Sequence, residues 1–569
     1  MKKDNKVLVI GIDGATFHII LPMIERGELP TFKSIMDKGT WAELMSTYPP
    51  HTVPAWVSCV TGMNPGNLGV YDFRENSHLT YDEGRFVFST DVKAKPLWSL
   101  LSEKNKKVMV VAIPMTNPPV QVNGVMVSPV RLIDHTKVKT YPPELSNELF
   151  NELKMASVLK KRMDYMEMHL SRVGSEREIF FDTVVSSSRQ VIEKLTEAIL
   201  YLFGKDEYDF SMVMLPIDAL QHHLWCFMDK NHPSYNAELA AKYKNIIFEG
   251  YKWVDQALEK ILNKVNDDTT IIMVSDHGFG PLHKIFHPNR WLMERGLLKL
   301  KRGGRHTFER TRVTFCRILQ KMGIGFLSRL LPERLNNARI PFVKRNLKPI
   351  PELIDWQQTK AYATSYAINI NLKGREPEGI VAPGEECNGL VSYIKEELCK
   401  LEDPDNGQKV IERVAEKREI YSGPYVEAAP DILVFFKDPK FSIRKDLFYP
   451  HLFRQLTPED RLTGHHTSFP KGICIMKGPH IVPGAVLREP HIMDIAPTVL
   501  YLLGGTVPEG LDGRVLAEAM NQEYIESHPI TTSKYSDAQQ KIPTMGDQTL
   551  IDEDSEAIKR QLKELGYMG

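Results

Sequence analysis

Three apolar runs in this chain end in acidic residues: VLVIGID at Asp13, FSMVMLPID at Asp218, and TTIIMVSDH at Asp276 with His277 beside it. Each reads as a buried parallel strand. In open α/β sheets the ligand crevice lies beyond the carboxyl ends of the strands, so residues distant in sequence converge there. Carboxylates and imidazoles gathered at one such rim can hold a divalent metal ion. A single Asp after a strand is an ordinary cap or turn residue. Three of them, two accompanied by histidine, point to a shared site.

In PIDALQHH, Asp218 and His222 are four residues apart. On a helical turn they share a face and can hold one ion together, whereas His223 points elsewhere. In SDHGFGP, Asp276 and His277 can both reach a metal only where the backbone turns sharply, which Gly278 and Gly280 permit. The late loop RLTGHHTSFPKG offers either His465 or His466. Either one completes an Asp-His pair to three ligands with an open position, as a catalytic metal requires. Thr52, in STYPPHTVPAWVSCVTG, stands at a natural helix N-cap with Pro54 in the first turn. A helix N-terminus also attracts anions. A threonine hydroxyl held there beside a metal loses its proton more readily and can attack phosphorus.

These residues need a scaffold, and the pattern around them supplies one. VLVIGI, HIILPMIERG, VPAWVSCVTG and KVMVVAI alternate strand-like and helical character, as in a parallel sheet with crossover helices. We read 1–130 as the first part of a catalytic core and the charged, helically patterned 131–205 as an inserted cap. The core pattern returns over 206–297. A second insertion, 298–354, is basic: between Lys299 and Lys348 there are 14 Lys or Arg against Glu309 and Glu333. It reads as a solvated helical face or as a lid that attracts anionic substrates or a lipid surface. Strand-like AYATSYAINI, DILVFFKD and GICIMKG and the helix DIAPTVLYLLGG form the third core part, 355–525. A polar tail with a short helical pattern, 526–569, follows.

The 569 residues carry 72 basic and 72 acidic side chains, a neutral balance that argues against sequence-specific nucleic-acid binding. No run approaches the roughly 20 apolar residues of a membrane span. The opening MKKDNKVLVIGIDG is a strand rather than a secretory signal. Six cysteines without a CxxC pair read as reduced thiols of a cytoplasmic protein.

Taken in order, an early GxDG, T-x-P-A-W-x-x-x-x-T-G, DxxxH, SDHG and a late G-x-H resemble the alkaline phosphatase superfamily, and specifically its type I phosphodiesterase and nucleotide pyrophosphatase branch. DIAPTVLYLLGGTVPEGLDGRVL is similar to the closing segment that this branch shares with the sulfatases. The resemblance implies an alkaline-phosphatase-like α/β fold with a central, mostly parallel sheet flanked by helices. It implies two divalent ions, typically zinc with manganese as the alternative. One would be held by Asp13, Thr52, Asp276 and His277, the other by Asp218, His222 and, from the G-x-H spacing, His466. Thr52 would form a covalent phospho-threonine that water hydrolyses.

One position departs from the family pattern. Nucleotide pyrophosphatases of the branch carry a phosphoryl-binding asparagine where ungapped counting from Thr52 lands on Phe73, between Asp72 and Arg74. Arg74 is a candidate substitute donor. Arg375, in NLKGREPEGIV, is a candidate for substrate binding or for bracing the cap.

The leading expectation is a phosphodiesterase acting on a phosphate-ester small molecule or a lipid-like substrate. Peripheral membrane contact would run through 299–348. A phosphomonoesterase or phosphomutase on the same scaffold is one alternative, since the insertions are large enough to close over a retained product. A non-catalytic metal-binding scaffold is another. A sulfatase is disfavoured because Trp56 stands where a C/S-x-P-x-R motif needs arginine.

Overall fold

The computed structural model describes residues 5–75, 81, 84–129, 139–153, 176–301, 350–364, 366–447, 449 and 451–534. Nearly all of the basic segment 299–348, the stretches 130–138 and 154–175 of the first insertion, and the tail beyond 534 lie outside the described residues.

Eight strands form the central sheet: β1 (Lys6–Gly11), β2 (Thr40–Met45), β3 (Val108–Val111), β4 (Gly124–Val127), β5 (Thr140–Tyr141), β6 (Phe210–Met214), β7 (Thr269–Val274) and β8 (Lys471–Lys477). Their spatial order is β2-β8-β7-β1-β6-β3-β4-β5. The five strands from β7 to β4 are mutually parallel. β8 runs antiparallel to both β7 and β2, and β5 antiparallel to β4. Every residue of β3, β6 and β7 is buried, which is why these strands read as unbroken apolar runs.

Register matters for function. Gly11 lies opposite Met214 on one side and Val274 on the other. Three strands therefore stop at one level, and Asp13 and Asp276 each follow two residues beyond it. Gly11 has a further use, because a Cβ there would lie 2.6 Å from Cη2 of Trp56. Its absence lets the helix Thr52–Thr61, whose Trp56 is fully buried, pack directly against the end of β1.

Within the segment read as an inserted cap, the 30-residue helix Glu176–Lys205 packs on the helices Ile246–Leu262 and Asp218–Leu224. Phe181, Val184, Ile192, Leu195, Ile199 and Leu202 belong to the main hydrophobic core. Their mostly three- and four-residue spacing lines one helical stripe.

The strand-like segments after Trp356 divide between two sheets. Only β8 joins the central one. Ala361–Ala363, Ala367–Ile370, Ile432–Phe436 and Ile411–Glu416 form an antiparallel sheet in that spatial order, covered by the helix Glu385–Cys399 and built around its own core. Tyrosines bolt this sheet to the loops flanking Thr52. Tyr48 Oη donates to the Val434 carbonyl at 3.2 Å, Tyr421 Oη to the Tyr48 carbonyl at 2.7 Å, and Tyr366 Oη to the Tyr71 carbonyl at 2.7 Å.

Arg375 braces the second sheet. Its guanidinium donates to both carboxylate oxygens of Asp431 at 2.7 and 2.6 Å, to Glu376, and to the Ile370 carbonyl at 2.8 Å. Burial alone would raise the Asp431 carboxyl, but Arg375 holds it below the ordinary carboxylate range. Removing one partner of a buried pair leaves an uncompensated charge, which costs more than the pair itself contributes. Lys417 Nζ, 3.1 Å from Asp431, remains to offset part of it. Arg375→Ala is therefore expected to destabilise the second sheet by about 3 kcal/mol, read as a lower denaturant midpoint, and Arg375→Lys to restore little because the two-pronged geometry is lost.

Candidate active site

The helix Thr52–Thr61 begins one residue earlier than its sequence suggests. His51 holds the N-cap, with φ −111° and ψ 143°, and Thr52 is the first helical residue. No side chain caps the helix. Ala55 N donates to the His51 carbonyl at 3.0 Å, closing the first turn. The Thr52 hydroxyl is thus not consumed as a cap, and its Oγ1 lies 3.4 Å from His277 Nε2.

Around that nitrogen the strand ends converge. His277 Nε2 is 3.1 Å from Asp276 Oδ2 and 3.8 Å from Asp13 Oδ1. Asp13, Asp276 and His277 each offer a ligand atom within 4.8 Å of the others, and all three residues are buried. The sharp turn after β7 is held by Ser275 Oγ, which donates to the His277 carbonyl at 2.7 Å.

Asp218 and His222 lie on the buried helix Asp218–Leu224 that follows β6. His466 stacks on His277 with ring centres 4.0 Å apart and planes 11° from parallel, and its ring centre is 5.4 Å from that of His222. Asp218, His222 and His466 do not draw their ligand atoms within 4.8 Å of one another as the first set does. Asp218 is nevertheless close enough for its charge to act on His222, Asp276 and His277 alike.

The donor chemistry suits a divalent cation. In all three imidazoles Nδ1 faces a backbone carbonyl: Gly278 at 3.0 Å for His277, Gly464 at 3.2 Å for His222, and Pro50 at 2.7 Å for His466. A carbonyl only accepts, so Nδ1 carries the proton and Nε2 keeps its lone pair. Metal-ligating histidines are oriented in this way. Burial pushes all three imidazoles down, His222 to about 3, which keeps them neutral. Burial pushes the Asp276 carboxyl up, against the pull of His277. Among the described residues no hydrogen bond reaches Asp276 Oδ2, although it is buried. A buried carboxylate oxygen with no donor is costly, and a cation is the counter-charge that removes the cost.

Other candidates have partners of their own. His465 is committed on both nitrogens, Nδ1 to Thr467 Oγ1 at 2.9 Å and Nε2 to the Pro439 carbonyl at 2.8 Å. His223 Nδ1 turns to the Arg461 carbonyl at 2.9 Å. Arg74 donates to the Gly84 carbonyl at 2.9 Å and lies 4.3 Å from the centre of the Phe86 ring. Arg375 is spent on the second sheet as described.

Sequence reasoning passed over His51. Its side chain is buried, with Nδ1 3.5 Å from Asp72 Oδ1 and its ring 5.2 Å from that of His466. Direct adjacency to Thr52 in PPHTVPAW was the available signal.

Comparison with known proteins follows the same lines. The sequence matches the type I phosphodiesterase / nucleotide pyrophosphatase family over residues 7–450, well over half of the chain. Among solved structures it is similar to phosphonoacetate hydrolase from Sinorhizobium meliloti 1021, with 13% identity and a TM-score of 0.51 over 88% of this chain and 95% of that one. It is similar also to the alkaline phosphatase PafA, with 14% identity and a TM-score of 0.52 over 92% of this chain and 100% of that one. At such identities the likeness speaks for the fold alone. No curated protein shows significant sequence similarity to the chain. Among the described residues no helix is long and apolar enough to cross a membrane. The chain belongs to the type I phosphodiesterase / nucleotide pyrophosphatase family and is a phosphoester hydrolase on an alkaline-phosphatase-like α/β scaffold.

Proposed function

We propose that the protein is a divalent-metal-dependent phosphodiesterase in which Thr52 is the nucleophile. The observation that carries this reading is the Thr52 hydroxyl, uncommitted to capping and 3.4 Å from His277 Nε2 inside the buried Asp13, Asp276 and His277 cluster. Asp13, Thr52, Asp276 and His277 would hold one ion, and Asp218, His222 and His466 a second, with zinc favoured and manganese the alternative. Bound there, the ions supply Lewis-acid activation of oxygen and stabilise charge developing on the phosphoryl group.

The chain's own residues do the rest. The helix N-terminus at Thr52 favours the phosphoryl group through its dipole and first-turn N–H groups. Thr52 Oγ bonds to phosphorus as the bond from phosphorus to the departing alcohol oxygen breaks, and the alcohol leaves with a proton. Water then bonds to phosphorus, the bond to Thr52 Oγ breaks, and the hydroxyl is restored. The three imidazoles, fixed as Nδ1–H tautomers by their carbonyl partners, hold their lone pairs in place throughout. The substrate class is a phosphate-ester small molecule, lipid-like head groups included. Five described cysteines, at 59, 226, 387, 399 and 474, are free thiols, which supports a reducing, cytoplasmic setting.

Hydrolysis of bis(p-nitrophenyl) phosphate against p-nitrophenyl phosphate tests the reading. The diester is expected to be preferred, and Thr52→Ala to lower kcat by about 10³-fold or more while the protein still binds metal. Preference for the monoester would favour a phosphatase or mutase instead. Metal-loaded native protein inert toward both would sink the hydrolytic assignment for such substrates. Chelation is expected to abolish turnover, with zinc or manganese restoring it.

The two late histidines provide an internal control. His466→Ala is expected to lower turnover by about 100-fold, and His465→Ala by far less, its ring being tied to Thr467 and Pro439 rather than to the cluster. Equal losses in the two variants would contradict the ligand assignment.

A further inference from the structure

Asp13, Asp218 with His222, and Asp276 with His277 ride on three different strand ends, and their relative placement needs more than the sheet. A buried hydrogen-bond chain joins all three ends. Thr16 N donates to Tyr251 Oη at 3.1 Å, and that hydroxyl donates to Gln221 Oε1 at 3.3 Å. Gln221 Nε2 donates to the Gly14 carbonyl at 2.8 Å, and Gly14 N donates to Asp276 Oδ1 at 3.3 Å. Gln221 and Tyr251 are 0% exposed, so solvent cannot replace either partner.

The amide orientation is unambiguous, since a carbonyl at Gly14 demands a donor and leaves Oε1 for the tyrosine. Gln221 stands three residues after Asp218 and next to His222 on one short helix. The turn that carries one candidate ligand pair therefore also grips the loop carrying Asp13, and through Gly14 it reaches the Asp276 carboxylate. Gly14 has φ +74°, and a Cβ there would lie 3.1 Å from Gln221 Nε2 and 3.0 Å from Phe279 Cδ2. Close approach of the loop to the amide thus needs glycine. An apolar residue at 221 would take the amide donor from the buried Gly14 carbonyl and the acceptor from the Tyr251 O–H.

We propose that Gln221, through its bond to the Gly14 carbonyl, is a positioning residue that sets the spacing between the Asp13/Asp276/His277 cluster and the Asp218/His222 pair. It touches no reacting atom; it acts through Gly14 and Asp276. This rests on the proposed function in so far as those groups are metal ligands, but the clamp itself is a property of the bare chain.

The test uses full-length Gln221→Met and Tyr251→Phe beside the native protein. Hydrogen–deuterium exchange of the metal-free proteins is expected to show peptides over 12–17 and 275–278 exchanging about tenfold faster in Gln221→Met, with the strand 269–274 still protected. Zinc affinity, measured by competition with a chromophoric chelator, is expected to fall about 10- to 100-fold, and kcat for bis(p-nitrophenyl) phosphate to fall with little change in KM. Tyr251→Phe, which keeps the bond to Gly14, is expected to change zinc affinity by less than about threefold. Faster exchange with unchanged zinc affinity and kcat would make Gln221 a packing residue only, and unchanged exchange would remove the clamp altogether; either overturns the proposal. Should the native protein bind no zinc, the metal reading fails while exchange still decides: acceleration at both 12–17 and 275–278 upholds the clamp, and acceleration confined to 12–17 overturns it. Gln221→Asn keeps an amide too short to span both partners and repeats the test should Gln221→Met not fold.

Discussion

Ionisable side chains buried together, against the electrostatic cost of that burial, are the constraint on which the rest of this structure turns. Asp13, Asp276 and His277 share a space less than 5 Å across, with His222 and His466 against it. Removing a carboxylate from water without a counter-charge costs several kcal/mol, and the upward push on Asp276 is the local expression of that cost. A cluster so disfavoured persists only where a rigid scaffold enforces it. The parallel register of β1, β6 and β7 does so by ending three strands at one level. Backbone carbonyls from Pro50, Gly278 and Gly464 then fix the imidazoles one by one.

The same logic explains why the region around Thr52 is so heavily braced. Thr52 follows a loop that carries to the rim a helix N-terminus without a side-chain cap, whose first-turn N–H groups have no intrahelical partners. Tyr48 in that loop donates to Val434 of the second sheet and accepts at its carbonyl from Tyr421, while Tyr366 ties the same sheet to Tyr71 beyond the helix. The long helix Glu176–Lys205 packs behind the helix bearing Asp218 and His222 and extends the apolar core beneath it. Hydrophobic burial, which is non-directional, thus provides the stability. Hydrogen bonds at the rim provide the geometry.

Much of this was legible in the residues. The strands leading to Asp13, Asp218 and Asp276 stood out because a strand buried on both faces must be apolar throughout, and the turn beyond it must be polar. The helices at Phe17–Glu25, Thr52–Thr61 and Ile495–Leu502 likewise follow from local pattern. Less legible was the fate of segments whose partners are remote. Nothing within AYATSYAINI distinguishes a strand of the central sheet from one of a second sheet, because pairing depends on Ile432–Phe436 some sixty residues later. The charged helical pattern before Lys205 concealed a stripe that joins the main core. Arg375 and Arg74 could each have faced a phosphate, and the neighbours each one has, Asp431 and Glu376 for the first and Gly84 and Phe86 for the second, come from remote segments or from a loop whose course the residues do not encode.

Local sequence determined the α/β core and the identity of the chemical groups at its rim, since apolar runs, turn residues and ligand types are properties of short segments. Tertiary structure alone decided which of the adjacent histidines 465 and 466 meets the cluster, that His51 rather than Thr52 occupies the N-cap position, and that Gln221 and Tyr251 tie the strand ends together. Those outcomes depend on distances between side chains far apart in the chain, which no spacing along one segment encodes.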